Sequence, residues 1–203
     1  MRETDKDLRI IRTKELIREA LIELIEEKGF EGITVKDITT KARINRGTFY
    51  SHYQDKYDLM NRCQDEILAE MKNIVRQNLV EVIMERDTNI PQAAPLNILV
   101  GFFRHLELNR KFMKALFKAD LNFQTKMKAF MWKTLFVNNE FPLIKQENLL
   151  VPSEYLIAYL ASAHIGVLEQ WLNGDGKESP EEMARILSTI TIQGPFTAAG
   201  LKN

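Results

Sequence analysis

Apolar side chains recur every three or four residues along most of the 203-residue chain, the spacing of one buried helical face. Between Lys6 and Lys28, Ile10, Ile11, Leu16, Ile17, Ala20, Leu21, Leu24 and Ile25 follow this period, and Glu15, Arg18, Glu19, Glu23 and Glu26 take the other side. Gly29 stands where a helix commonly ends. Thr34, with Asp37 three residues on, opens a second helix to about Ala42, and Asn45 caps a short third one over Arg46 to about His52. Asp55 caps a long fourth helix to about Arg86, in which Leu59, Cys63, Ile67, Met71, Val75 and Leu79 keep the period. Its 30 or so residues rise about 1.5 Å each, giving a rod of about 45 Å. Asp87 to Pro95 reads as a loop. Further helices are predicted over 96–108, 110–119, 121–138, 153–173 and 180–192, the last opened by Ser179-Pro180-Glu181-Glu182. The segment after Gln193 has no clear pattern.

Composition narrows the class. Hydrophobic residues make up 45% of the chain and charged residues 28%, which suits a folded all-α protein with a substantial core. The formal net charge is zero, so a polybasic protein is excluded while a local basic patch is not. The single cysteine, Cys63, cannot make an intrachain disulfide, and a reducing, cytoplasmic setting is expected. It lies on the apolar stripe of the long helix, where a buried thiol is expected. The charged N-terminus has no signal-peptide core, and no stretch reaches the roughly 20 apolar residues of a membrane span. Neither a phosphate-binding glycine loop nor a nucleophile elbow is present. His105 and His164 have no ligating partner one turn away. No enzyme activity, metal or cofactor is therefore expected.

The candidate chemistry lies between Thr34 and Lys56. Two short helices joined by a tight turn make a helix-turn-helix, whose second helix enters the DNA major groove. Between Lys36 and Lys56 five basic residues (Lys36, Lys41, Arg43, Arg46, Lys56) face two acids, Asp37 and Asp55. That is a positive patch within a neutral chain, as phosphate neutralisation requires. Arg46, leading the second helix, can bind guanine O6 and N7 or a phosphate. Thr48 can offer its hydroxyl to a phosphate and its methyl to thymine, and Tyr50 a phenol to phosphate. Gly47 allows the backbone to approach DNA, His52 is a surface candidate, and Phe49 and Tyr53 should point inward. Thr34, Lys36 and Lys56 lie at helix starts, where phosphates are favoured.

In this segment Thr34 is followed by Ile44, Asn45, Arg46, Gly47, Thr48, Phe49, Tyr50, Ser51, His52 and Tyr53, and then by Lys56 and Leu59. Residues 10–60 thereby resemble the DNA-binding domain of the TetR family of bacterial regulators. One position departs from the family pattern: Arg43 stands where glycine is common. A left-handed conformation there costs about 1–2 kcal/mol, so either the turn differs slightly or a phosphate contact from Arg43 offsets the strain. The resemblance implies a helix-turn-helix domain over 1–55 and a helical regulatory and dimerisation domain over 56–203. It implies a homodimer on a palindromic double-stranded operator, with Thr34, Lys36, Arg43, Asn45, Arg46, Gly47, Thr48, Tyr50, His52 and Lys56 at the DNA. A repressor released by a small, largely apolar inducer is expected, with an activator or a protein-controlled regulator as alternatives.

Eight of the eleven phenylalanines fall between Phe102 and Phe141, with Met113, Met127, Met131 and Trp132 among them. Such crowding makes core, and it also lines adaptable apolar pockets. Phe102, Phe130, Met131 and Tyr159 are the expected ligand lining, with His105, Asn122, Gln124, Tyr155 and His164 as further polar candidates. The stretch 152–173 mixes Ala158, Ala161, Ser162, Ala163 and Gly166 with large residues. With 180–192 it resembles the helix pair by which TetR regulators dimerise, and Leu168 and Trp171 are the expected seam.

Overall fold

A computed structural model describes residues 3–85, 93–119, 121–137, 146–174 and 177–201. The described residues form ten α-helices, one 3₁₀ turn at Gln146–Asn148 and no strand. The helices are α1 (Glu3–Lys28), α2 (Val35–Lys41), α3 (Arg46–Tyr50), α4 (Lys56–Glu85), α5 (Ala93–Leu108), α6 (Arg110–Ala119), α7 (Leu121–Phe136), α8 (Ser153–Asn173), α9 (Pro180–Ile192) and α10 (Pro195–Ala198).

Several boundaries differ from the sequence expectation. Residues 87–92 of the expected loop lie outside the described residues, but Ala93–Pro95 already form the first turn of α5. Proline is tolerated there because a first-turn N–H has no intrahelical partner. Helix α3 ends at Tyr50, and Ser51 and His52 form a turn whose amides reach back to Gly47 and Phe49. The unpatterned C-terminal segment contributes α10, entered through Gly194 at φ 86°.

Two compact units emerge: Met1–Ile67 with Lys118–Asp120, and Leu68–Phe117 with Leu121–Asn203. The first unit runs past the expected boundary at Lys56 into α4. The reason is packing: Leu59, Met60, Cys63 and Ile67 of α4 are buried, as are Ile17, Leu21 and Ile25 of α1, Ile38 of α2 and Phe49 of α3. Burial pushes the Cys63 thiol up to about 12, leaving a neutral core group.

The second unit is held by an aromatic and methionine core. Phe103, Phe112, Met113, Phe123 and Met127 are buried, and the Phe103 ring meets Trp171 edge-on at 5.2 Å. Arg110 clamps the end of α8: its guanidinium donates to the carbonyls of Trp171 (2.6 Å), Leu172 and Gly174 (both 3.2 Å), and its charge lies 4.8 Å from the Trp171 ring. Trp171 and Leu172 carry two of α8's last carbonyls, which have no partner inside the helix, and Gly174 is its cap residue.

Helix α5 comes unusually close to α4 at Gly101. A Cβ there would lie 2.7 Å from Ile74 Cγ2, and the branched isoleucine has little rotamer freedom to yield. Gly101→Ala should lower stability by about 1–3 kcal/mol despite alanine's better helix propensity, read as a fall in the urea unfolding midpoint.

Candidate nucleic-acid interface

Helices α2 and α3 are each fixed by a cap that the sequence announces. Thr34 Oγ1 accepts from the Asp37 amide at 3.2 Å, and the Asp37 carboxylate accepts from the Thr34 amide at 2.8 Å and the Thr34 hydroxyl at 2.7 Å. Lys28 adds an ion pair at 2.7 Å. The Lys28 ammonium, then the Thr34 donors, hold the Asp37 carboxyl well below the usual carboxylate range. The Thr34 hydroxyl proton is thus engaged with Asp37 in the free protein.

Asn45 caps α3. Its Oδ1 accepts from the Thr48 amide at 2.7 Å and from the Thr48 hydroxyl at 3.1 Å. Phe49 and Tyr53 are buried, as the sequence pattern suggests, and their rings lie 5.6 Å apart. They anchor α3 from within, so Arg46, Gly47 and Tyr50 stand on its exposed side, Thr48 and His52 are half-buried, and the Tyr50 ring is 56% accessible.

The turn between the helices holds Arg43 at φ 54°, the one described non-glycine residue in the left-handed region. The Ile44 amide closes the turn onto the Thr39 carbonyl at 3.0 Å. Arg43→Gly should relieve about 1–2 kcal/mol of strain and return about 0.5–1 kcal/mol through the greater freedom of unfolded glycine. The midpoint of unfolding should rise slightly. If Arg43 also neutralises a phosphate, DNA affinity should fall in the same variant, with a shallower salt dependence.

The basic patch is smaller than the count of charges implies. Lys41 pairs with Glu23 at 2.8 Å and also with Glu27. Lys56 turns inward: its ammonium donates to the carbonyls of Phe30 (3.1 Å) and Glu31 (3.0 Å), lies 4.9 Å from the Phe30 ring, and its side chain is only 13% exposed. Two of its three donors thus tie the start of α4 to the loop after α1. Lys56→Met should cost about 1–2 kcal/mol by stranding those carbonyls, checked by thermal unfolding. Lys36, Arg43 and Arg46 are further exposed cations of the helix-turn-helix. Sequence reasoning did not single out Tyr57, which is half exposed beside Lys56, its ring 5.0 Å from that ammonium and its hydroxyl 3.4 Å from the Glu31 carboxylate. Position alone gave it no signal.

In the second unit the four expected ligand-lining residues differ in burial. Phe102 and Phe130 meet edge-on, centroids 6.3 Å apart, and pack against buried Val75 and Ile98. Met131 is half-buried and Tyr159 is 54% exposed. The expected seam residues Leu168 and Trp171 are 7% and 3% exposed within their own chain, so their burial needs no partner. Of the polar candidates, His105 Nε2 lies 3.1 Å from Glu70, Gln124 donates to Glu169 at 3.1 Å, and His164 Nε2 lies 2.9 Å from the Thr191 hydroxyl. Burial lowers the His164 imidazole. Among the described residues no cluster of acidic, His or Cys side chains could hold a metal, and no helix is long and apolar enough to cross a membrane.

A capped helix-turn-helix with exposed cations, followed by a larger helical unit, defines a DNA-binding transcriptional regulator. The family model described as bacterial regulatory proteins, tetR family, matches residues 17–63, and a transcriptional regulator C-terminal region model matches residues 93–193. The chain belongs to the TetR family, whose members are DNA-binding transcription factors and not enzymes. It is 40% identical over 73 residues to the uncharacterized regulator YxbF of Bacillus subtilis, covering 34% of this chain and 19% of that one. It is 27% identical over 138 residues to the dhaKLM operon transcriptional activator DhaS of Lactococcus lactis, covering 68% and 58%. The chain thus spans about a fifth of the first relative's length and under two thirds of the second's. Its fold matches a TetR regulator from Streptococcus agalactiae at TM-score 0.61 and 24% identity, covering 93% of this chain and 98% of that one.

Proposed function

We propose that the chain acts as a homodimeric repressor that grips a near-palindromic operator through two copies of α3 and is released by a small, largely apolar ligand. The observation that carries the DNA half of this reading is the exposed face of α3, with Arg46, Gly47 and Tyr50 outward over the buried anchors Phe49 and Tyr53. Lys36 and Arg43 supply charge on the flanking phosphates. His52 borders this face, while Thr34, Asn45 and Lys56 hold it in shape. Selection of bound duplexes from a random pool tests it. The expected product is an inverted repeat with half-sites about 34–36 Å apart or a related multiple, and a pool without enrichment refutes it.

Two copies meet, in this reading, on the outer face of α8 and α9. An open groove there is lined by Ser162, Gly166, Val167, Gln170, Met183 and Ile186. Trp171 lines the groove as well, and buried Leu168 is not among its lining residues. The ligand half rests on the Phe102–Phe130 pair, which is only partly buried and lies on helices packed against the far half of α4. Release needs a ligand that prefers the non-binding state. Thermal-shift screening with apolar and aromatic compounds should yield one that stabilises the protein, frees the operator, and does neither with Phe130→Ala.

A second reading, activation of transcription, is favoured by one finding: the similarity to DhaS, an activator by name, extends over 68% of this chain. Transcription in vitro from the selected operator separates the two. A repressor lowers the transcript on adding protein, and an activator raises it.

A further inference from the structure

We propose that Thr48 reads DNA with its γ-methyl group and not with its hydroxyl, so that each half-site carries a thymine recognised by its 5-methyl group. The proposal rests on the reading of α3 as the recognition helix and names one base that this helix selects.

The argument begins with the cap of α3. Asn45 must turn its amide oxygen toward the helix, because the Thr48 amide donates to it at 2.7 Å. A carbonyl oxygen has two lone pairs, and the second receives the Thr48 hydroxyl at 3.1 Å. A threonine hydroxyl has one proton, and here Asn45 holds it. Phosphate oxygens only accept hydrogen bonds, so a phosphate contact from Thr48 would have to break this bond. Gly47 keeps the arrangement in place: a Cβ there would lie 3.2 Å from Asn45 Oδ1 and press on the oxygen that serves both donors. Residue Thr48 is half-buried and not sealed, and with its hydroxyl engaged the group of this side chain left to meet a groove is the γ-methyl. Thymine is the one base that presents a methyl group in the major groove. The remaining option for the oxygen is to accept from an adenine or cytosine amino group, which calls for the hydroxyl and not the methyl.

Two variants separate these cases. Thr48→Val keeps the methyl and removes the hydroxyl. Thr48→Ser keeps the hydroxyl and removes the methyl. Both retain the backbone amide that Asn45 caps, and melting temperatures check that both are folded. The probe is the selected operator, with each thymidine replaced in turn by deoxyuridine, and binding is followed by fluorescence anisotropy. A buried methyl group is worth about 0.8 kcal/mol, which converts to about fourfold in affinity. The expected result is one thymine per half-site whose replacement weakens wild-type binding about fourfold, and more than tenfold when both half-sites are changed. Thr48→Val should bind within threefold of the wild type with the same sensitivity. Thr48→Ser should bind more weakly and be indifferent at that position. The proposal is overturned if Thr48→Val loses tenfold on every duplex alike, the signature of a lost phosphate contact. It is equally overturned if Thr48→Ser behaves as the wild type, or if no deoxyuridine matters. A wild-type protein that enriches no duplex overturns the recognition-helix reading itself, a result distinct from all of these.

Discussion

A Gly166→Arg chain should fold, remain a monomer and be unable to hold its operator. Gly166 lies on the exposed side of α8, and a Cβ built there meets nothing within 4 Å. Within one chain the added side chain therefore has room. Replacing an interior helical glycine should even stabilise the monomer by up to about 1 kcal/mol. If α8 meets its copy across a two-fold axis, the same substitution appears twice in one symmetric seam and sets two cations in a space left by small residues. A buried charge without a partner costs several kcal/mol. Losing the second half-site should bring operator affinity down toward non-specific binding, a fall of about 10³ or more. Sedimentation reads the assembly and gel shift reads the DNA. Leu168→Glu makes the contrast: Leu168 is buried in its own chain, so this variant should unfold outright. A Gly166→Arg dimer with unchanged affinity would move the seam to another face.

Helix α8, where Leu168 and Trp171 are the expected seam, shows where sequence periodicity stops. Helix α8 carries apolar or small residues on more than one face, and a 3.6-residue period cannot say which face meets the chain's own core. Ala161, Ile165, Leu168, Trp171 and Leu172 take that role, leaving Ser162, Gly166 and Gln170 outside. Charge counting has the same limit. Lys41 and Lys56 count as basic in the sequence, yet their partners Glu23, Glu27 and the Phe30 and Glu31 carbonyls lie 14 to 26 residues away and are brought to them only by the fold. Local chemistry was readable: the caps at Thr34, Asn45 and Ser179, the breaks after α1 and before α9, and the left-handed turn forced on Arg43 all depend on residues within four positions. Pro95 misled because proline both breaks a helix and suits its first turn. The meeting of Phe102 with Phe130 is tertiary, and no spacing in the chain encodes it.

Arg46→Ala should weaken operator binding by about 1–3 kcal/mol, roughly five- to 150-fold, and relax the preference for one guanine in each half-site. Arg46 is the first residue of α3 and is exposed. The cap at Asn45 and the anchor at Phe49 make no use of its side chain, so the fold should survive the change and the loss can be read as recognition. A guanidinium binds guanine through two parallel hydrogen bonds to O6 and N7, which no other base reproduces. Arg46→Lys tests that geometry, since an ammonium keeps the charge and loses the fork. Were Arg46 on guanine, Lys should recover little of the specificity and the salt slope should change little. Were it on a phosphate, Lys should recover most of the affinity, while Ala should bind all sequences more weakly and lower the salt slope by about one. An Arg46→Ala dimer that binds and discriminates as well as the wild type would leave the front of α3 with no part in reading the operator, and recognition would then have to pass to Tyr50 and the flanking cations.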